Sequence, residues 1–420
     1  MKHQQIALSI ATALAAALAP AAYAIDVTAG DWKLSFDGNV NAHYIYSECQ
    51  SFTTAAAVGG GLACVGSDDG QRGSSSVSNG LLPAALTISA ATTQSGYDIG
   101  VTFGLYPGIS TNDGGSPNIA NTSSTRNTAL GSASLDVRQV FLTFGNKDMG
   151  TVMAGRNIGL FQADAILNDM TLLGVGAGNG NYAAPTNTSL GSIGLGYIYT
   201  DWLSQINYTT PDMGGAKLTV GVFDPVESLT DSGGPTPKNA PGFHGKLSYK
   251  LGGLYLSASG LYEKQTIDFA ATTGIIGSHQ NYDGRGFDIG GKFDLAGFEV
   301  AGWYYLAKGL GTTGLFVYSA DPAGNPRNSE GFLAQVTYKI VNTKIGVNYG
   351  QSRLDKSDQE LVLGADPTLL SSNDKATFGV YHQLTPNLLL VAELSKIWSA
   401  NQAGQENQST NGNIGAFVSF

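Results

Sequence analysis

From Asp31 onward the chain alternates apolar and polar residues with a period of two. Trp32, Leu34, Phe36, Val40, Ala42, Tyr44 and Tyr46 fall in one row, and Lys33, Ser35, Asp37, Asn39, Asn41 and His43 in the other. That is the periodicity of a strand with unlike faces. It returns near the C-terminus, where Ile345, Val347 and Tyr349 oppose Lys344, Asn348 and Gly350, and Phe378, Val380 and Leu384 oppose Lys375, Thr377 and Gln383. The pattern predicts sixteen strands, near 31–47, 81–93, 96–106, 130–146, 149–158, 200–210, 215–224, 241–251, 253–264, 283–295, 297–308, 329–340, 342–353, 374–384, 388–399 and 411–420. The connections alternate in length. Asn146-Lys147-Asp148, Gly252-Gly253, Ala296-Gly297 and Pro386-Asn387 carry tight-turn chemistry. The segments 48–80, 107–129, 159–199, 225–240, 265–282, 309–328, 354–373 and 400–410 are long and rich in Gly, Ser, Asn, Pro and Asp. Short turns on one side and long loops on the other describe an all-β, even-stranded, up-and-down antiparallel meander.

Alternation alone does not separate a soluble sandwich from a membrane barrel, because the two differ only in which row faces inward. Composition narrows the choice. The 420 residues include 57 Gly, only 13% are charged, and the net charge is −10; an average protein has about 7% Gly and about 25% charged residues. Low charge excludes a typical disordered chain, and a pI of 4.9 argues against nucleic acid as a partner. A mean hydropathy of −0.02 is too polar for a bundle of membrane helices. Titratable residues recur on the polar rows, the connections are asymmetric, and Tyr and Trp cluster near strand ends as an interfacial girdle does. A sheet in lipid must close, since each unpaired edge group costs several kcal/mol in hydrocarbon. The reading is a transmembrane β-barrel.

Residues 1–24 form an export signal. Lys2 precedes an apolar run from Ile6 to Ala19, and Ala22-Tyr23-Ala24 supplies the small-x-small cleavage pattern. No later stretch has 18 consecutive apolar residues, so residues 25–420 are exported as a single barrel domain. Cys49 and Cys64, the two cysteines, fit a disulfide in an oxidising compartment. Closing a loop of that size stabilises by roughly 3 kcal/mol in the chain-entropy model. A metal pair would need further ligands, and no His or Cys lies nearby.

The run Arg138-Gln139-Val140-Phe141-Leu142-Thr143-Phe144-Gly145, then Asp148-Met149-Gly150-Thr151-Val152 and Gly155-Arg156-Asn157, resembles the fourth and fifth strands of Gram-negative general porins. The end, Ile414-Gly415-Ala416-Phe417-Val418-Ser419-Phe420, is similar to the aromatic-terminated last strand read by the outer-membrane assembly machinery, with Phe420 as the signal residue. The resemblance implies an outer-membrane location in contact with lipid and lipopolysaccharide, sixteen strands, a homotrimer, and a third loop folded inward as a constriction. That loop spans about 159–199 here. Asp164 and Asp169 would line the constriction, with Arg156 facing them. Opposed charges across a narrow pore set up a transverse field. Relatives often place further basic residues on the first two strands, where this chain has Asn39, Ala85 and Thr87.

By phase, Lys33, Lys217, Lys246, Lys250, Lys292, Lys339, Lys344 and Lys375 point inward, as do Asp37, Asp98, Glu263, Asp288, Asp294, Glu299 and Glu393; with Arg156, placed by its motif, nine positive charges face seven negative ones. Such near-balance predicts weak ion selectivity. Arg138 shares its phase with Val140, Leu142 and Phe144, toward lipid or a neighbouring subunit. No HExxH, GxSxG or CxxC pattern supports catalysis, and no metal or cofactor is expected. His382, the one outward histidine, would need a Ser or Thr neighbour to act as a nucleophile's base. The sequence thus describes a channel for passive diffusion of small hydrophilic solutes and ions. The alternative is a substrate-selective channel with a lumen site for aromatic acids, sugars or anions, marked by Trp303, Tyr305 and Tyr381 on the inward phase.

Overall fold

The computed structural model describes residues 24–50, 58–67, 72–109, 135–178, 188–227, 240–269 and 278–420. Residues 1–23, which hold most of the expected export signal, lie outside them. Eighteen strands occur among the described residues: β1 (Ile25–Ala29), β2 (Trp32–Cys49), β3 (Gly73–Ser78), β4 (Ala85–Gln94), β5 (Tyr97–Pro107), β6 (Leu135–Asn146), β7 (Gly150–Ile158), β8 (Trp202–Thr209), β9 (Ala216–Phe223), β10 (Gly242–Leu251), β11 (Leu254–Phe269), β12 (Ser278–Leu295), β13 (Phe298–Lys308), β14 (Asn328–Ile340), β15 (Thr343–Leu354), β16 (Leu370–Thr385), β17 (Leu388–Asn401) and β18 (Glu406–Ser419). Each of β4 to β17 pairs antiparallel with the next, β2 pairs with β4, and β18 returns to β2. The sheet is therefore a closed barrel of sixteen wall strands.

The two strands outside the predicted set are short and complete the ends of β2. The first, β1, pairs with the start of β2, with Ile25 opposite Phe36. It continues the line of β18, whose Ser419 lies opposite Asn39. Phe420 and Gly38 exchange two backbone hydrogen bonds of 3.0 Å just before that junction, so Phe420 closes the seam of the barrel. The other, β3, pairs with the far end of β2 while β4 pairs with its near end. It reads as loop because Gly73-Ser74-Ser75-Ser76 has no apolar alternation.

The outward row is apolar, as a lipid face requires. Val140, Leu142 and Phe144 are 40%, 44% and 41% exposed, while the inward Asn41, Ser395 and Asn411 are buried. Arg138 corrects the phase reading. The register slips at Gly104/Leu105, with Gly104 opposite Gln139 and Leu105 opposite Val137. This bulge turns Arg138 and Gln139 both inward. There Arg138 pairs with Asp136 at 2.8 Å and lies 5.0 Å from the Tyr106 ring centre.

Among the long connections, 309–327 and 355–369 interlock. Arg327 donates to both carboxylate oxygens of Glu360 at 2.6 and 2.9 Å. Glu360 lies in helix α2 (Asp358–Leu363), where Ser357 and Glu360 form a capping box. Burial raises the Glu360 carboxyl, but the Arg327 hydrogen bond and the Ser357 amide outweigh it and hold it below its ordinary value.

Ile289 tests the outward row. It is 55% exposed, sits within β12, and lies between Ala258 and Tyr304. Ile289→Arg should destabilise the barrel by about 2–4 kcal/mol, read as a lower urea midpoint in lipid vesicles. A midpoint matching the native one would mean that this row does not face hydrocarbon.

Candidate functional site

The described residues of the segment between β7 and β8 are almost all buried, unlike an ordinary surface loop. It begins with helix α1 (Ala163–Leu167), entered through Gln162 in a left-handed conformation. Its polar groups are taken up by the inward rows of successive wall strands. The Gln162 amide donates to Asp288 at 3.0 Å on β12. Asp164 receives Lys246 at 3.0 Å from β10 and the Tyr255 hydroxyl at 2.8 Å from β11. The Met170 amide donates to Gln335 on β14 at 2.9 Å, and Asn348 on β15 reaches Asp169 at 3.3 Å. Farther along, Lys375 on β16 donates to the Gly191 carbonyl at 2.7 Å. Glu393 on β17 accepts the amides of Val175 and Gly176, both at 2.8 Å.

Apolar packing follows the same course. Phe161 clusters with Tyr305, Leu310 and Phe316, and Ile166 and Leu172 cluster with Trp303 and Leu333. Wall glycines make the close approach possible. A Cβ on Gly350 would overlap the Leu195 carbonyl, and one on Gly286 would stand 2.7 Å from the Phe161 ring. These seats account for inward glycines that strand propensity alone disfavours.

Other connections join the segment. Leu81 and Leu82 donate backbone bonds to Gly174 and Leu172 at 2.8 and 3.0 Å, and the Tyr199 amide donates to Thr313 at 2.9 Å. The expected disulfide is present, with Cys49 and Cys64 15 residues apart. It tethers Leu62 and Ala63, which pack on Ala177 and Leu195.

The sequence-derived site residues separate into three groups. Asp164 binds the wall rather than standing free. Asp169 is fully buried and committed to packing: it accepts from Thr171, from the Tyr197 hydroxyl at 2.9 Å, and from Asn348. Burial and then Asp169 push the Tyr197 phenol well above its ordinary range, so it remains a donor. Lys375 and Glu393 hold the far end of the segment, and Lys344 lies 5.2 Å from the Tyr381 ring centre. Lys33 pairs with Asp26 at 2.9 Å, Asn39 accepts from Asn41 at 2.8 Å, and Asp37 is buried on the inward row. Arg156 is placed otherwise than the sequence suggests. It lies opposite Val140 and Ser204, both on the exposed row, yet its Nε is buried and its charge acts on the buried Asp201, and no ion pair or hydrogen bond joins it to Asp164 or Asp169 among the described residues. Asn348 stands on the polar row read from the sequence, and the phase of Gln335 and Tyr255 is legible there too, but nothing marks any of the three as a loop partner. His382 does have a Thr neighbour, with Nδ1 2.9 Å from Thr343 Oγ1 near a tight turn. Trp303, Tyr305 and Tyr381 point inward, yet all three are buried; the first two pack on the 159–201 segment, and the Tyr381 hydroxyl bonds Glu393 at 2.6 Å.

A closed sixteen-stranded barrel with an apolar outer face and a polar inner one is a transmembrane channel scaffold. The sequence profile of the Gram-negative porin family matches residues 11–400, and the chain belongs to that family. It is an outer-membrane channel for passive diffusion. Three solved structures share the fold. The outer membrane channel DcaP of Acinetobacter baumannii superposes with a TM-score of 0.66 at 14% identity, over 94% of this chain and 99% of that one. OmpT of Vibrio cholerae gives 0.55 at 14%, over 94% and 99%. OmpF of Salmonella typhi, in complex with daunomycin, gives 0.55 at 12%, over 94% and 100%. No curated protein sequence matches the chain.

Glu393→Ala leaves the buried amides of Val175 and Gly176 without acceptors, at about 1–3 kcal/mol. Deuterium exchange at those two amides should accelerate by roughly tenfold or more while amides in the β10–β12 wall keep their protection. Unchanged exchange at Val175 and Gly176 would mean that Glu393 does not hold the segment.

Proposed function

We propose that the 159–201 segment folds into the lumen as a constricting third loop, and that solutes pass through the remaining aqueous space down their gradients. The observation that carries this is the set of bonds from one connection to the inward rows of β10, β11, β12, β14, β15, β16 and β17. A segment bonded to that many inward rows of a closed wall has the lumen as its space. Solutes are small, hydrophilic molecules and ions, since the inward rows offer Asn, Ser, Thr and charged groups. The outward band contacts lipid and, at the long-loop end, lipopolysaccharide. Chemistry and an energy source have no part in the cycle.

Three copies associate in this reading. Arg156 takes the outward register partway along β7, with a buried Nε that has no hydrogen-bond partner among the described residues. An Arg facing the bilayer midplane costs about 2–4 kcal/mol, a penalty that a neighbouring copy covering this face removes. OmpT of Vibrio cholerae has been described in a trimer form, which agrees with the same arrangement here.

Single-channel recording of the detergent-purified protein in planar bilayers tests both claims. Conductance that scales with salt and closes in three equal steps is expected, and Arg156→Glu should break the triplets into single steps. Absence of any conductance would contradict the diffusion channel. Single steps from the native protein would contradict the trimer.

A further inference from the structure

The short-turn end of the barrel, which faces the periplasm in barrels of this kind, carries an arrangement of charge that the constriction does not use. Lys250, Tyr255 and Lys292 lie side by side on three consecutive strands, β10 to β12. Lys339, Lys344 and Tyr381 lie side by side on β14 to β16. Both rows belong to the inward phase. Lys292 is directly opposite the buried Ala301, and Lys339 and Lys344 stand one inward step from Thr337.

Charge in these rows is only partly balanced by the nearby carboxylates of Glu299, Asp169 and Glu393. Glu299 reaches Lys292 at 3.5 Å, and Asp294 lies opposite Glu299. Lys250, Lys339 and Lys344 make no ion pair among the described residues, and neither does Lys217, inward at the start of β9. Lys339 and Lys344 are moreover a direct cross-strand pair, an arrangement that repels. The opposite wall carries the other sign. Asp37 on β2 and Asp98 on β5 are inward at this end, while Lys33 is neutralised by Asp26. In a sixteen-stranded ring, β2 and β11 are diametrically placed, so the basic arc faces the acidic wall across the vestibule.

We propose that this basic arc is a vestibule site for small multivalent organic anions, separate from the loop constriction. Neighbouring strands lie about 4.8 Å apart, so the Lys339/Lys344 pair and the Lys250/Lys292 pair present ammonium groups at spacings that two or three carboxylates of one molecule can meet together. A monovalent anion satisfies one ammonium and leaves the like-charge repulsion in place. The tyrosines in each row offer an aromatic face beside the charges, their hydroxyls being held by Asp164 and Glu393. The acidic wall repels the same solute and keeps it on the basic side.

Citrate is the probe and acetate the monovalent control. Binding is measured by calorimetry on the full-length protein in detergent, and flux by bilayer recording with citrate on either side. Citrate should bind at least roughly tenfold tighter than acetate and should block more strongly from the short-turn side. K339Q/K344Q should weaken citrate binding about tenfold, and K250Q/K292Q should do so independently, so failure of one variant to fold leaves the other to decide. Citrate binding no tighter than acetate, or unchanged in both double variants, overturns the site. The route into the vestibule rests on the open-channel reading, and the two can fail apart. Citrate binding without conductance would uphold the site and remove the channel; conductance indifferent to citrate, with no calorimetric binding, would do the reverse.

Discussion

An unpaired backbone amide or carbonyl cannot be left in hydrocarbon, and the rest of the molecule follows from that requirement. The sheet must close, so β18 returns to β2, with Phe420 on Gly38 and Ile25 on Phe36. Closure also constrains irregularities. At Gly104/Leu105 one residue is extra, and the bulge accommodates it by turning Arg138 inward, where Asp136 and Tyr106 receive it. Left on the outward row, the same guanidinium would sit in lipid.

Closure has a second consequence, on the inner side. A ring of this size encloses more space than its own side chains fill. The inward rows therefore meet a long connection instead of each other, and its backbone groups need partners as much as the wall's do. Asp288, Gln335, Lys375 and Glu393 supply them. Glycines at 286 and 350 supply the room. The high glycine content, which looks in the sequence like loop composition, is thus partly a property of the wall.

Strand number, the alternation of short and long connections and the inward or outward sense of most residues were legible in the sequence because a two-sided strand repeats every second residue. Most predicted strand limits fall within a few residues of those observed, from 31–47 against Trp32–Cys49 to 388–399 against Leu388–Asn401. Phase extrapolation failed where the period breaks. Arg138 departs from its phase because a bulge has no sequence signature of its own, and β3 falls outside the pattern because Gly-Ser runs carry no alternation. The inward expectation for Arg156 follows from a motif and not from phase, and its register partners Val140 and Ser204 belong to the other row. For the loop, spacing could name Asp164 and Asp169 as carboxylates but not their partners, which come from strands far along the chain. The lysines near the tight turns were each legible as inward. Their grouping on one side of the ring appears only when the strands are laid next to one another.

In the proposed reading, residues lining the lumen divide the work: those at the middle of the strands hold a loop, and lysines near the tight turns act on solutes. The loop would then be the determinant of size and the vestibule the determinant of charge. Swelling of proteoliposomes in sugars of graded size, comparing the native protein with one in which residues 163–198 are replaced by a short Gly/Ser linker, tests it most directly. The account predicts that the native channel admits arabinose and excludes raffinose, and that the shortened loop admits both through an intact barrel. The same size cutoff in the two proteins would contradict it.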